Sequence, residues 1–415
     1  MAEQADLSKK GHLARIAAMN LTILNASGMV PRSPKHWLFG HQGELFAGNS
    51  KYLFLWVTLH RPDIHAVWLA HDEATHRLLN EHGLPCHRKW SPAGVLATLR
   101  SAVFFYCHGL SDTNARLSKG AMLVNLWHGV GLKSMMFGDI NGIMSDYHRN
   151  WSNRRGKLLF YEYVTLPDVV ATTSDFMQQH FAGQFKMPPE RCPQLGYPRL
   201  DVVADPELRR LAVEIDKGFG FEFNDRGHDE VYIYMPTRRD THRSFIDTAL
   251  PDLPRLSEVL SARNAVLYVK LHPWTRDDWP GDLDNIKLWP NTIEVYTYLD
   301  QITGMITDYS SILYDFLFLR DSGSILYTFD YDEFVSNDHT LLYPFDENTA
   351  GVRADSFDEL CDVIAKGLSL IPDPNVAAVR QKFWGDCVPP MSPVIVDYVE
   401  NALQGAAPAA AIEPA

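Results

Sequence analysis

The sequence lacks most of the features that assign a function on sight. It has five cysteines in 415 residues, Cys86, Cys107, Cys192, Cys361 and Cys387, and none forms a C-x-x-C pair. A disulfide framework and a cysteine-built zinc site are therefore not expected, and a reducing compartment is. Neither G-x-x-x-x-G-K-[ST] nor G-x-G-x-x-G occurs, which disfavours P-loop ATPases and the usual nicotinamide enzymes. No secretory leader and no bilayer-spanning run is read. The most apolar early stretch, "IAAMNLTILNASGMV", is interrupted by Asn20, Thr22, Asn25 and Ser27 and is too short and polar to cross a membrane. With Lys9, Lys10, His12 and Arg15 before it, it suits a helix lying on a membrane surface. No basic stripe runs along the chain, whose net charge is −13, so a nucleic-acid partner is not expected.

The charge that is present is unevenly placed. Residues 1–200 hold 21 Lys and Arg against 14 Asp and Glu, whereas residues 201–415 hold 17 against 37. Such halves are different electrostatic objects, and the first is suited to meet something anionic. A chain of this length exceeds what one core usually supports. The expected division is a helical, membrane-associating segment over 1–36, domains over 37–203 and 204–403, and a disordered Ala/Pro-rich tail over 404–415.

Short runs that are apolar throughout, without alternation, read as strands covered on both faces. In the first half these are 52–60, 65–70, 101–109, 122–129 and 168–175; in the second, 231–237, 265–273, 301–311 and 323–330. "DPELRRLAVEIDKG" reads as a helix with an acidic start and a glycine stop. The fold class predicted is α/β, with two doubly wound Rossmann-like domains facing one another across a cleft.

Ligands gather at the C-terminal ends of strands in open parallel sheets, and four unusual segments fall there. "LVNLWHGVGLKSM" ends a strand on His128, followed by Gly129 and Lys133. "PTRRD" offers Arg238 and Arg239, whose forks suit a diphosphate. "KLHPW" places His272 before a proline that holds it extended. In "ITDYSSILYDF", which includes Thr307, a helix near Ile312 is expected to be capped by Asp308, Ser310 or Ser311, making a phosphate site. Asp315, one turn later, is expected to accept bonds from polyol or ribose hydroxyls. The basic "HRNWSNRRGK" (148–157) is a candidate contact for anionic headgroups. "DYD" (330–332) has the form of a D-x-D metal site, but no metal is expected there.

Taken in order, "NLWHGVGLKSM", "LGYPRLD", "YMPTRRD", "KLHPW", "ITDYSSILYDF" and "YTFDYDEF" resemble the CDP-glycerol glycerophosphotransferase family, which builds teichoic acids and related capsular polymers. The resemblance runs over about residues 37–390. It implies a GT-B fold with an acceptor-side first domain and a second domain that binds the CDP donor. It further implies transfer of a polyol phosphate to a hydroxyl of a lipid-linked or polysaccharide acceptor, with release of CMP and no cofactor. The family's two histidines fall on His128 and His272, and its donor-binding positions on Ser310, Ser311 and Asp315, with Thr307, Arg238, Arg239, Gly129 and Lys133 alongside. The implied location is cytoplasmic, at the inner face of the membrane. Where the family commonly reads W-H-G-T-P-L-K, this chain has Val130 and Gly131. A GT-B sugar-nucleotide glycosyltransferase or epimerase shares the expected fold, and a non-catalytic, membrane-associated nucleotide-binding protein is a third reading.

Overall fold

The computed structural model describes residues 19–43, 45–131, 136–138, 161–223, 227–237, 239, 246–271, 279, 281, 283–337 and 342–405. Two six-stranded parallel sheets dominate. The first contains β1 (Ser33–Phe39), β2 (His65–Ala70), β3 (Cys86–Arg88), β4 (Ser101–Tyr106), β5 (Met122–Asn125) and β6 (Val169–Val170), in the order β3-β2-β1-β4-β5-β6. The second contains β7 (Glu230–Met235), β8 (Ala265–Val269), β9 (Ile286–Leu288), β10 (Gly304–Thr307), β11 (Ser324–Tyr327) and β12 (Val352–Ala354), in the order β12-β11-β10-β7-β8-β9. Central strands such as β4 and β8 are buried along their whole length. Helices cover both faces of such sheets, so no face is left for polar alternation.

Each sheet reverses its winding where its first and fourth strands lie side by side, at β1/β4 and at β7/β10. Side chains just beyond those ends line a crevice. His41 and His108 follow β1 and β4 there, and Thr237 and Asp308 follow β7 and β10.

One expected strand is a helix. Residues 52–60 belong to the helix Gly48–His60, in which Gly48 through Val57 are all buried. A helix enclosed on every side carries no polar stripe, so its apolar run imitates a two-sided strand. The strand it displaces in the reading is β1, "SPKHWLF", whose first half is polar and only partly buried. The helix Pro206–Gly218 stands where predicted, with Asp205 accepting from the amides of Glu207 and Leu208. Its Leu208, Ala212 and Ile215 pack into the core of the first sheet, together with Ile395, Val396 and Val399 of the C-terminal helix Ser392–Leu403. That last helix is pinned by buried Asp201, which accepts from the amides of Met391 and Ser392.

A second core cluster joins the halves: Trp127, Val130 and Tyr197 share it with Ile312, Leu313 and Trp384. Across the same junction Glu294 accepts from the Gly48 amide at 2.9 Å. Among the described residues no helix is long and apolar enough to cross a membrane.

Candidate active site

The loop after β5 is held at four successive carbonyls. Asn49, on the buried helix, donates to the carbonyls of Leu126 (3.0 Å) and Trp127 (2.9 Å). Arg199 donates to His128 O at 2.6 Å, and the Tyr197 hydroxyl to Gly129 O at 3.2 Å. The restraint is needed because Trp127 has φ +51, a left-handed conformation that costs a large side chain free energy and persists only where surroundings impose it. This backbone turns His128 out of the sheet edge.

The His128 imidazole lies between two rings, the Trp127 indole at 4.4 Å and the His108 imidazole at 4.6 Å, both stacked. His41 meets His108 edge-on at 4.7 Å. His128 Nδ1 is 3.2 Å from the carbonyl of Cys107. Donation to that oxygen fixes the tautomer and leaves Nε2 as the basic nitrogen. The residue is exposed, and the protein packed around the ring, then the nearby His108, push its pKa down from 6.5. The base is thus neutral at physiological pH.

On the opposite wall, the helix Ile312–Leu319 starts with Ser311 at its N-cap, and no side chain bonds its first amides. The amides of Leu313 and Tyr314 already bond the carbonyls of Ser310 and Ser311, so what this N-terminus chiefly presents to an anion is its partial positive charge. Ser310 and Ser311 are half-buried beside it. A Cβ built on Gly129 falls 2.7 Å from Ser311 Oγ, so the two walls touch where a side chain on the loop would separate them. Arg199 spans the same gap: its Nη2 is 2.7 Å from both carboxylate oxygens of Asp315, and the pair is almost fully buried.

Several expected ligands are occupied otherwise. Asp315 is buried against Arg199 and does not face a hydroxyl ligand. Arg239 gives its guanidinium to Asp308 and Asp330, and to the carbonyl of Thr237. It braces the β7/β10 crevice in place of gripping a diphosphate. Asp308 does not cap the helix at Ile312; it accepts from the amides of Thr237 and Tyr309. Thr307 is buried, and its hydroxyl donates to Met235 O at 2.7 Å, stitching β10 to β7. His272, Lys133, Arg238 and the basic segment 148–157 lie outside the described residues. Sequence reasoning missed Asn49, Arg199, His41 and His108. Arg199 stood in the quoted "LGYPRLD", but nothing local marks an arginine whose partners are 71 and 116 residues away.

A cavity of about 510 Å³ near β11 and β12 is lined by Asp330, Asp332, Glu333 and Asp355 against a single Arg353. Its anionic walls suit no diphosphate, so the cleft between His128 and Ser311 is the candidate site. Among the described residues no group of three or more His, Cys, Asp or Glu is arranged to hold a metal ion.

The family model described as CDP-glycerol:poly(glycerophosphate) glycerophosphotransferase matches residues 26–384. The teichoic acid ribitol-phosphate primase of Bacillus spizizenii is 26% identical over 245 residues, 56% of this chain and 58% of that protein. The chain thus spans little more than half of that relative. The teichoic acid poly(glycerol phosphate) polymerase of the same organism is 22% identical over 402 residues, covering 89% of this chain and 92% of the relative. Among solved structures, the wall teichoic acid polymerase TagF superposes with a TM-score of 0.69 at 17% identity over 90% of each chain. A variant of TagF soaked with CDPG superposes at 0.71, with 16% identity over 97% of each. The two-domain arrangement is therefore the GT-B fold.

Proposed function

The chain belongs to the CDP-glycerol:poly(glycerophosphate) glycerophosphotransferase family, and from that premise we propose that it transfers a polyol phosphate from a CDP-activated donor to an acceptor hydroxyl in teichoic-acid-like polymer synthesis. The observation that carries the reading is the placement of a neutral imidazole, His128, against an uncapped helix N-terminus flanked by Ser310 and Ser311.

Nε2 of His128 takes the proton of the acceptor hydroxyl as its oxygen attacks the phosphorus bearing the polyol. The bond from that phosphorus to the bridging oxygen breaks, and CMP leaves with the negative charge. The partial positive charge at the start of Ile312–Leu319 and the hydroxyls of Ser310 and Ser311 stabilise the charge developing on the leaving phosphate. Gly129 keeps the walls close enough for both groups to reach one phosphorus, and closure excludes competing water. His272, Lys133 and Arg238 join the donor site on the family motif alone. Asp315, Arg239, Thr307 and Asp308 act behind it, by holding the walls.

The acceptor is a lipid-linked or polysaccharide chain, and the enzyme works at the inner membrane surface. In support of surface attachment, the helix over 19–27 exposes Met19 and Leu21, and Met29 just beyond it is exposed too. The direct test is to incubate the protein separately with CDP-glycerol, CDP-ribitol and UDP-N-acetylglucosamine, each with candidate acceptors, and to identify the nucleotide released. CMP from a CDP-polyol supports the reading. UDP alone would replace it with the sugar-nucleotide glycosyltransferase reading, and conversion of the UDP-sugar without nucleotide release with the epimerase reading.

A further inference from the structure

We infer that Glu294, a carboxylate of the second domain, is a positioning residue for His128: it caps the first turn of the helix Gly48–His60, and through that turn it sets the base against the donor wall. The inference rests on the transferase reading and adds to it a brace that shares no residue with the Arg199–Asp315 pair.

The helix brings no cap of its own. Its N-cap residue is Ala47, which makes no side-chain cap, and its first turn holds no acidic residue. The first amide, that of Gly48, donates instead to Oε1 of Glu294 at 2.9 Å, across 246 residues of sequence. A cap normally comes from the residue just before the helix. Here the opposite domain supplies it, so the turn is complete only while both domains are in place. A carboxylate at this position also meets the positive end of the helix dipole.

The capped turn is the shelf under the base. Asn49, next to Gly48, donates to the carbonyls of Leu126 and Trp127, which lead into His128. The amide and hydroxyl of Ser50 lie 3.3 and 3.2 Å from Cys107 Sγ, and the carbonyl of the same cysteine is 3.2 Å from His128 Nδ1. Gly48 is itself pressed against these groups: at its φ of +73 a Cβ would fall 3.0 Å from Cys107 Sγ and 2.9 Å from His41 Cδ2. Three successive residues of one turn therefore hold the backbone before His128 and the carbonyl that orients its ring. A shift of the turn moves both.

Glu294 is in turn fixed to the strand that leads to the second histidine motif. The carbonyl of Ile293 accepts from Lys270 Nζ at 2.7 Å and from Trp289 Nε1 at 2.9 Å, which locks the peptide that Glu294 follows. Lys270 comes directly after β8 and opens "KLHPW", and the Trp289 amide donates to Val269 O, at the last residue of β8, at 2.9 Å. Position is thus passed from the end of β8 to Glu294, across the junction to Gly48, and from that turn to His128. A second bond at the same junction gives a comparison: the hydroxyls of Tyr52 and Thr297, both buried, lie 3.1 Å apart, one turn further along the helix.

The test measures CMP release by the full chain from CDP-glycerol in the presence of acceptor, beside calorimetric binding of CDP-glycerol. Glu294→Ala lowers kcat roughly ten- to hundredfold, the size of loss that follows a misplacement of about 1 Å, while donor affinity is retained. Glu294→Gln keeps an oxygen for the Gly48 amide, and because Oε2 has no hydrogen-bond partner it breaks no bond, so kcat stays near that of the wild type. Thr297→Val, which removes the neighbouring bond, also keeps kcat. Since Glu294 acts through the turn, Glu294→Ala combined with Asn49→Ala costs less than the product of the two single losses. The assignment is overturned by wild-type kcat in Glu294→Ala, by a fall of donor affinity in step with kcat, by a glutamine variant as slow as the alanine one, by an equal loss in Thr297→Val, or by independent effects of Glu294→Ala and Asn49→Ala. Should the alanine variant not fold, Glu294→Asp, whose shorter side chain withdraws the oxygen, takes its place under the same expectations. If the wild type releases no CMP, the transferase reading falls and the positioning is read from the imidazole itself. In protein carrying isotope-labelled histidine, the His128 ring resonances move in Glu294→Ala and stay in Glu294→Gln and Thr297→Val; unmoved resonances in Glu294→Ala overturn it.

Discussion

Arg199 Nη1 donates to the carbonyl oxygen of His128 at 2.6 Å, while the rest of the same guanidinium holds the Asp315 carboxylate. The backbone that presents the base is thereby referenced to the helix that presents the phosphate donors. Tyr197 and Tyr296 cover the guanidinium, with its carbon 5.1 and 4.6 Å from their ring centres. The bridge therefore acts in a site from which water is largely withdrawn.

Arg199→Met leaves Asp315 buried without its partner. Breaking a buried pair from one side costs about 3–5 kcal/mol, so the urea midpoint should fall sharply. Adding Asp315→Leu removes the orphaned charge and should restore much of that stability. Turnover should not return with it, because nothing then holds His128 O. Recovery of CMP release in the stable double variant would show that the bridge matters for folding alone.

His128→Asn removes the base and keeps a polar side chain of similar position. Calorimetric binding of CDP-glycerol should be nearly unchanged, since the donor is held from the other wall. CMP release in the presence of acceptor should fall by roughly 10²–10⁴, the usual contribution of a positioned base. Because the His128 pKa is pushed down by the packed protein and the nearby His108, the acid limb of the wild-type rate should lie below 6.5. Wild-type turnover in the variant would remove His128 from the mechanism.

How far the sequence reached can be read from single residues. The parallel strands were legible because β4 and β8 are buried on both faces and keep one apolar signature. The helix Gly48–His60 was not, because complete burial erased its period. At the site, residue types that end strands marked the candidates, and the structure brings His128, Ser310 and Ser311 to facing walls. The work of Asp315, Arg239 and Thr307 was not legible. A carboxylate or guanidinium suits a ligand and a buried partner equally well, and which it meets depends on Arg199 or Asp330, far away in the chain. Asn49 lay hidden for the same reason, inside the run that read as strand.

Gly129→Ala tests the contact between the walls. The added Cβ would sit 2.7 Å from Ser311 Oγ and 3.2 Å from its Cβ, at a φ of +157. The loop, gripped at its carbonyls, has little room to yield, so the walls must part and kcat should fall well over tenfold with a modest change in melting temperature. Ser311→Gly in the same chain clears the space and should recover part of the loss, beyond what the two single changes predict. Additive effects would mean that the contact does not set the geometry.

His180 supplies a test of stability against pH away from the chemistry. It is buried on the helix Asp175–Phe185, with Nδ1 against the Tyr343 hydroxyl and Nε2 without a partner. Burial alone pushes its pKa from 6.5 to about 4. The folded state therefore binds fewer protons than the unfolded state between these values, so stability rises with pH across that window. Its contribution is complete above pH 6.5 and is lost as pH falls toward 4, by at most about 3 kcal/mol. His41 and His128, pushed down in the same direction, add to the slope. His180→Phe should flatten the dependence of the urea midpoint on pH between 7 and 4.5 without abolishing it. Parallel curves for variant and wild type would mean that this imidazole takes no part in acid unfolding.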